Sequence, residues 1–335
     1  MIPFLALALL AAVCAFAMGY ALNQGTTCAV TAARQVIDEG QTRMLVGFGI
    51  AAAAAGLIWL PLAWLAGGLV HLAPDRPIGW GLVFGACLLG IGAVINRACL
   101  LGSISRIGQG RVRFLGLLPG LAIGFLLADR FGVSPPAAMP NPLANPSPTG
   151  IVVLVLFLAS LAAGWAWMRR PGDGGDLVRW PWRVSMTVLG VSGALLFAIA
   201  PGWTVADAVR RTVVPLQTGG PMSMDGLAGA MMVGVPGLAM FAVLCAGAVL
   251  AGIQRQAFRY RRASLIAVSR SVAGGAVMAF GAALVPGGND TLLLASLPAA
   301  TLGGLVAYGV MSAVVFSLLL IRKRMTAPPG SPPEP

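Results

Sequence analysis

Acidic residues are scarce in this chain: ten Asp and Glu stand among 335 residues, against 22 Lys and Arg, and there is a single histidine, His71. Few groups are therefore available for general acid–base catalysis. The five cysteines, Cys14, Cys28, Cys87, Cys99 and Cys245, form no CxxC pair and have no histidine at ligand spacing, which argues against a metal site. No GxxxxGKS or GxxxxGKT loop occurs, so the chain has no phosphate cradle for driving work by ATP hydrolysis. Charged residues make up only 10% of the chain, which excludes an ordinary soluble domain. No enzymatic activity, metal or cofactor is expected.

What is present is apolar length. Hydrophobic residues make up 58% of the chain and the mean hydropathy is +0.88. A helix needs roughly 20 apolar residues to cross the hydrocarbon core. Such stretches occur near 1–22, 44–70, 79–95, 113–131, 150–168, 183–201, 226–251, 265–286 and 298–321. The expected fold is an all-α polytopic membrane protein with about nine transmembrane helices, its partner being the lipid bilayer. Residues 1–22 lack a basic leader and read as a retained first span. The Pro-rich segment 133–148 reads as a connector, and the tail 322–335 as disordered.

The net charge of +12 would point to nucleic acid in a soluble protein, but here the arginines stand singly at the ends of apolar stretches. Topology accounts for them. Segments 23–43, 96–113, 169–183, 252–264 and 322–335 hold 17 of the 22 basic residues, so the positive-inside bias puts the N-terminus outside and the C-terminus in the cytoplasm. Arg111 and Arg113 read as such charges, and Arg270 as a snorkelling residue near the cytoplasmic end of its span.

Two polar stretches interrupt the apolar pattern, Asn23-Gln24-Gly25-Thr26-Thr27-Cys28 and Asn96-Arg97-Ala98-Cys99-Leu100-Leu101-Gly102. Irregular backbone at membrane depth is tolerated only where it is buried in protein or lines a cavity. Each break carries a cysteine ahead of good helix formers, so each thiol is expected at a helix N-terminus, where free N–H groups attract anions. Polar connectors with an incidental cysteine are common, and Cys14, Cys87 and Cys245 within apolar runs read as small hydrophobes. A later break, Pro286-Gly287-Gly288-Asn289-Asp290, fits either a helix cap or a pathway role.

The breaks also suggest a repeat. Aligning Gly92–Cys99 with Gly281–Gly288 sets Cys99 opposite Gly288, and aligning Cys28–Arg34 with Thr204–Arg210 sets Cys28 opposite Thr204. With one odd span between the halves, the repeat is inverted, an architecture of transporters with broken helices. The expected units are a first membrane repeat (1–131), a connecting region (132–182), a second membrane repeat (183–321) and the tail (322–335).

These three breaks, with Ser105-Arg106 and Gly108-Gln109-Gly110 after the second, resemble the YeeE/YedE family of inner-membrane proteins built around sulfur transport. The resemblance implies inverted repeats with short re-entrant helices and uptake of thiosulfate or a related small sulfur-containing anion, passed by transient S–H···S contacts. It implies pathway roles for Cys28 and Cys99, together with Asn23, Gln24, Thr27, Asn96, Arg97, Gly288, Asn289 and Asp290. The family's third cysteine is sought at Gly288, where this chain departs from the pattern. A separate cytoplasmic sulfur-carrier protein is a further implied partner. The competing expectation is a membrane thiol-redox protein with a reversible Cys28–Cys99 disulfide.

Overall fold

Apolar segments fold into helices because in lipid every backbone N–H must find its acceptor within the segment. In the computed structural model, which describes residues 2–66, 70–133, 136–169, 179–201, 203–218, 234–285 and 287–326, nine helices are long and apolar enough to cross a membrane. In chain order, α1 (Ile2–Gln24) turns into a short α2 (Ala29–Glu39), followed by α3 (Arg43–Leu65) and α4 (Trp80–Asn96). A second short helix, α5 (Leu100–Ile107), leads through a 3-10 turn at Val112–Gly116 into α6 (Leu117–Arg130). Then come α7 (Pro148–Trp167), α8 (Trp182–Ile199), a short α9 (Val205–Thr218), α10 (Val235–Gln254) and α11 (Leu265–Leu284). One turn, α12 (Asn289–Thr291), runs on through a π turn at Leu292–Ser296, and α13 (Leu302–Thr326) closes the fold.

The sequence reading of nine spans holds. The second, which forms α3, is shorter than expected, ending at Leu65 rather than 70, with Gly67 and Gly68 following in the sequence. Helix α10 starts at Val235, and the earlier part of the expected stretch, 226–233, lies outside the described residues. So do 170–178 of the connecting region and 327–335 of the tail.

Packing is carried by small residues, which let helix backbones approach where lipid supplies no hydrophobic contrast. Helices α4 and α11 cross antiparallel: Gly85 lies against Gly281, and a Cβ on Gly92 would sit 2.7 Å from the Gly274 carbonyl. Helices α1 and α10 run parallel, Gly19 on Ala248 and Gly247 on Phe16; α3 and α8 run parallel, Gly47 on Met186 and Gly190 on Ala51. Likewise α6 lies along α11 through Gly120 and Gly124, and α13 lies on α4 at Gly90. Helix α7, mostly exposed, packs mainly on α3.

Each end of α13 is tied to a different segment. At its start, the buried Asp75 carboxylate accepts the Leu302 and Gly303 N–H groups at 3.1 and 3.0 Å. Asn141 braces the same corner by donating to the Ala73 and Ala299 carbonyls. At its far end, Lys323 donates to the Ile37 carbonyl. Removing the cap with Asp75→Ala is expected to lower stability by about 1–2 kcal/mol, read as a lower melting temperature in detergent with secondary structure retained.

Candidate functional site

Four short helices begin inside the bundle, and their starting residues are Cys28 (α2), Cys99 (α5), Thr204 (α9) and Gly288 (α12). Cys28, Cys99 and Gly288 all hold extended backbone, as an N-cap requires, and Thr204 Oγ1 accepts the Asp207 N–H at 3.1 Å. All four helix starts are buried. Their first N–H groups face no water and must be answered from neighbouring segments.

The answers link the helix starts into a row. Cys28 makes no side-chain cap of its own; the first N–H of α2, from Ala29, reaches the Cys99 sulfur at 3.4 Å instead. The same sulfur caps α5 by accepting from Gly102 N–H at 3.4 Å. The first N–H of α5, from Leu100, donates to Asn289 Oδ1 on α12 at 3.2 Å. Next along, the Asp290 carboxyl faces the Val205 N–H at the start of α9, and its Oδ1 is left buried without a partner.

Cys28 and Cys99 are both free, each is 2% exposed, and their sulfurs are 4.0 Å apart. A glycine makes that proximity possible, since a Cβ at Gly102 would collide with the Cys28 sulfur. Gly288 is confined in a different way: a Cβ there would lie 2.5 Å from Asp290 Oδ1. With Asp290 in its present rotamer there is no room for a thiol at the position where the third cysteine was sought.

The remaining residues singled out in the sequence take up separate partners. Asn23 donates to the Ser105 carbonyl at 3.0 Å and its own carbonyl accepts from Arg255, joining α1 to α5 and α10. Gln24 bonds Tyr20 and accepts the Trp180 N–H, and Thr27 Oγ1 faces the Met186 sulfur. Asn96 donates to the Ala98 carbonyl and Ser103 Oγ and accepts from Ser271, which braces the turn carrying Cys99. Arg97 lines a cavity with four other arginines, and neither Cys28 nor Cys99 is among its lining residues.

Cavities approach the row from both ends of α13. One, of about 340 Å³, is lined by Arg76, Arg210, Arg211 and Asp207 at its mouth and by Thr291 and Ser296 at its floor. The hydroxyls of Thr291 and Ser296 are buried without partners. Burial pushes the Asp207 carboxyl up, while Arg211, Arg210 and Arg76 pull it the other way. On the opposite face a cavity of about 260 Å³ is lined by Arg34, Asp38, Arg322 and Lys323. From there Arg34 leads along α2 toward Thr31, which accepts from Arg106 at 3.2 Å.

Sequence reading missed this first cavity, because Arg76 and the Arg210–Arg211 pair are far apart in the chain and meet only in the fold. The alignment of Cys28 with Thr204 was the one signal that placed α9 beside the breaks. Gly102→Ala is expected to abolish Cys28–Cys99 cross-linking by a mild oxidant in membranes while Cys14 alkylation stays unchanged; cross-linking at the wild-type rate would mean that Gly102 does not set the sulfur distance.

No curated protein sequence matches this chain. A sulphur transport family model matches residues 24–316, which takes in all four helix starts and every span from α3 to α11. This multi-pass membrane chain, with two thiols at facing helix N-termini between two basic cavities, belongs to the YeeE/YedE sulphur transport family.

Proposed function

We propose that the protein takes up thiosulfate, or a closely related small sulfur-containing anion, along a path that runs through the Cys99–Cys28 pair. The observation that carries this reading is the pair itself: two reduced thiols 4.0 Å apart, each at a helix N-terminus, with a basic cavity on either side. Helix N-termini offer an anion partial positive charge and N–H donors. Thiols add weak S–H donors suited to a polarisable sulfur acceptor. No covalent step is required.

Arg76, Arg210 and Arg211 collect the anion, and the Thr291 and Ser296 hydroxyls replace part of its water. Asn289 and the α5 start pass it to Cys99, Cys99 passes it to Cys28, and Arg106 and Arg34 draw it toward the opposite cavity. Both sulfurs are buried, so this is a closed conformation, and the anion moves when the row of helix starts separates by a few ångströms. In this reading, which the basic-residue bias supports, the Arg76 cavity opens outside and the Arg34 cavity opens to the cytoplasm.

An inverted repeat supports the same reading. Exchanging α1 with α8, α2 with α9, α3 with α10, α4 with α11 and α6 with α13 maps the packing partners onto one another: α1–α10 onto α8–α3, α6–α11 onto α13–α4, α2–α13 onto α9–α6. The central pair α4–α11 is antiparallel, as an inversion demands. Short helices entering from both halves then meet at the midplane, where transporters of this build hold substrate.

A separate cytoplasmic acceptor is the natural recipient of the released sulfur species. A reversible disulfide is the competing chemistry, since sulfurs at this spacing need only a small approach to bond.

Uptake of sulfur-labelled thiosulfate by cells lacking other importers is the test. Cys28→Ala and Cys99→Ala, at matched membrane expression, are each expected to reduce uptake to background; wild-type rates in both would defeat the relay, and a wild type that takes up none would remove thiosulfate as the substrate. Asp290→Asn is expected to raise the rate, because the amide keeps an acceptor for Val205 N–H and removes a like charge from the path. Loss of uptake in that variant would show that the carboxyl group itself is needed.

A further inference from the structure

A cavity of about 340 Å³ is walled by Arg97, Arg111, Arg113, Arg261 and Arg262, with Ser264 and Ala267 from the start of α11. It is separate from the cysteine row. No carboxylate lines it among the described residues. The arginines are held together by backbone: Arg261 N–H donates to the Gly110 carbonyl at 3.1 Å, Arg259 N–H donates to that of Gln109 at 3.1 Å, and Arg111 and Arg261 form a β-bridge. Gly110 has φ +79° and lies so close to Arg259 that a Cβ would come within 2.7 Å of its backbone. Like charges set opposite one another across a bridge destabilise it. With no carboxylate in the lining, an anion between the guanidinium groups would relieve that repulsion.

The remaining donors agree. Arg97 takes a left-handed conformation (φ 61°) at the end of α4, and its Nε is buried without a partner. Arg113 stacks on Phe114 at 4.3 Å, which leaves its planar fork edge free to donate. Ser264 caps α11, whose N-terminus adds its own partial positive charge.

The surroundings identify the source of the anion. Leu265 and Ile266, next to the cavity on α11, are 87% and 74% exposed, and Leu115, two residues from Arg113, is 47% exposed. Apolar surface beside a ring of guanidinium groups matches a lipid, with acyl chains on the leucines and isoleucine and a phosphodiester among the arginines. We propose that this cavity binds the phosphate headgroup of an anionic phospholipid, on the face that the positive-inside bias assigns to the cytoplasm. Basic pockets between spans at that face are the known setting for such headgroups. Lipid bound here would clamp the α5–α6 connection to the α10–α11 loop, one turn from the helix that carries Cys99.

Native mass spectrometry of the purified protein, with phosphatidylglycerol, phosphatidylcholine or inorganic phosphate added, tests this. Phosphatidylglycerol is expected to be retained and phosphatidylcholine lost, and the Arg111→Gln/Arg261→Gln double variant to bind the anionic lipid about 30-fold more weakly; Arg76→Gln, on the other face, is expected to leave retention unchanged. Equal retention of the two lipids by wild type, or undiminished retention by the folded double variant, would overturn the proposal. Competition by millimolar inorganic phosphate would assign the cavity to a soluble anion instead. Should the double variant not fold, the wild-type comparison of the lipids and phosphate decides alone.

Discussion

Everything at the centre of this protein depends on one constraint: four helices start where no water can reach their free N–H groups. In an apolar surrounding an unanswered N–H costs several kcal/mol. The chain answers with a sulfur for Ala29 and Gly102, an amide oxygen for Leu100, a hydroxyl for Asp207 and a carboxyl for Val205. Each answer comes from the cap or first turn of a neighbouring helix or from its own cap, so the row is cross-braced. In the proposed pathway the groups that hold the helix starts together are also the ones an anion meets, and a step that separates them exposes donors for it.

Around this row the packing is stiff where it needs to be. Glycine contacts bring α4 against α11 and α1 against α10 with almost no side chain between them, and Asn96 and Asn23 fix the turns that present Cys99 and the end of α1. Movement is therefore expected in the short helices rather than in the long ones. Gly102 and Gly288 mark how little space remains: one admits the Cys28 sulfur, and a Cβ on the other would meet the Asp290 carboxyl in its present rotamer. Where a third cysteine was sought, this chain has a glycine followed by an amide and a carboxyl side chain.

Much of this was legible beforehand. Spans follow from apolar length, and the cysteines' place at helix starts follows from a polar break ahead of helix formers. The pairing of Cys28 with Thr204 and of Cys99 with Gly288 is visible as faint internal similarity, and all four prove to be helix starts. What was not legible is direction. Asn23, Gln24 and Thr27 share a break with Cys28, yet Asn23 donates to the Ser105 carbonyl, Gln24 accepts the Trp180 N–H and Thr27 Oγ1 faces the Met186 sulfur. Asp75, the cap of α13, lies in a loop with no motif, and the cavity lined by Arg76, Arg210 and Arg211 exists only once distant segments meet. Arg111 reads as a topology charge in sequence; its bridge to Arg261 is a tertiary fact.

The most direct test of the central claim is substrate protection of the two thiols. Membrane vesicles would be alkylated with and without saturating thiosulfate, and modification of Cys28, Cys99 and Cys14 followed by mass spectrometry. Thiosulfate is expected to slow modification of Cys28 and Cys99 together and to leave Cys14 unaffected. Protection of neither thiol, or of Cys14 to the same degree, would contradict a path between the two sulfurs.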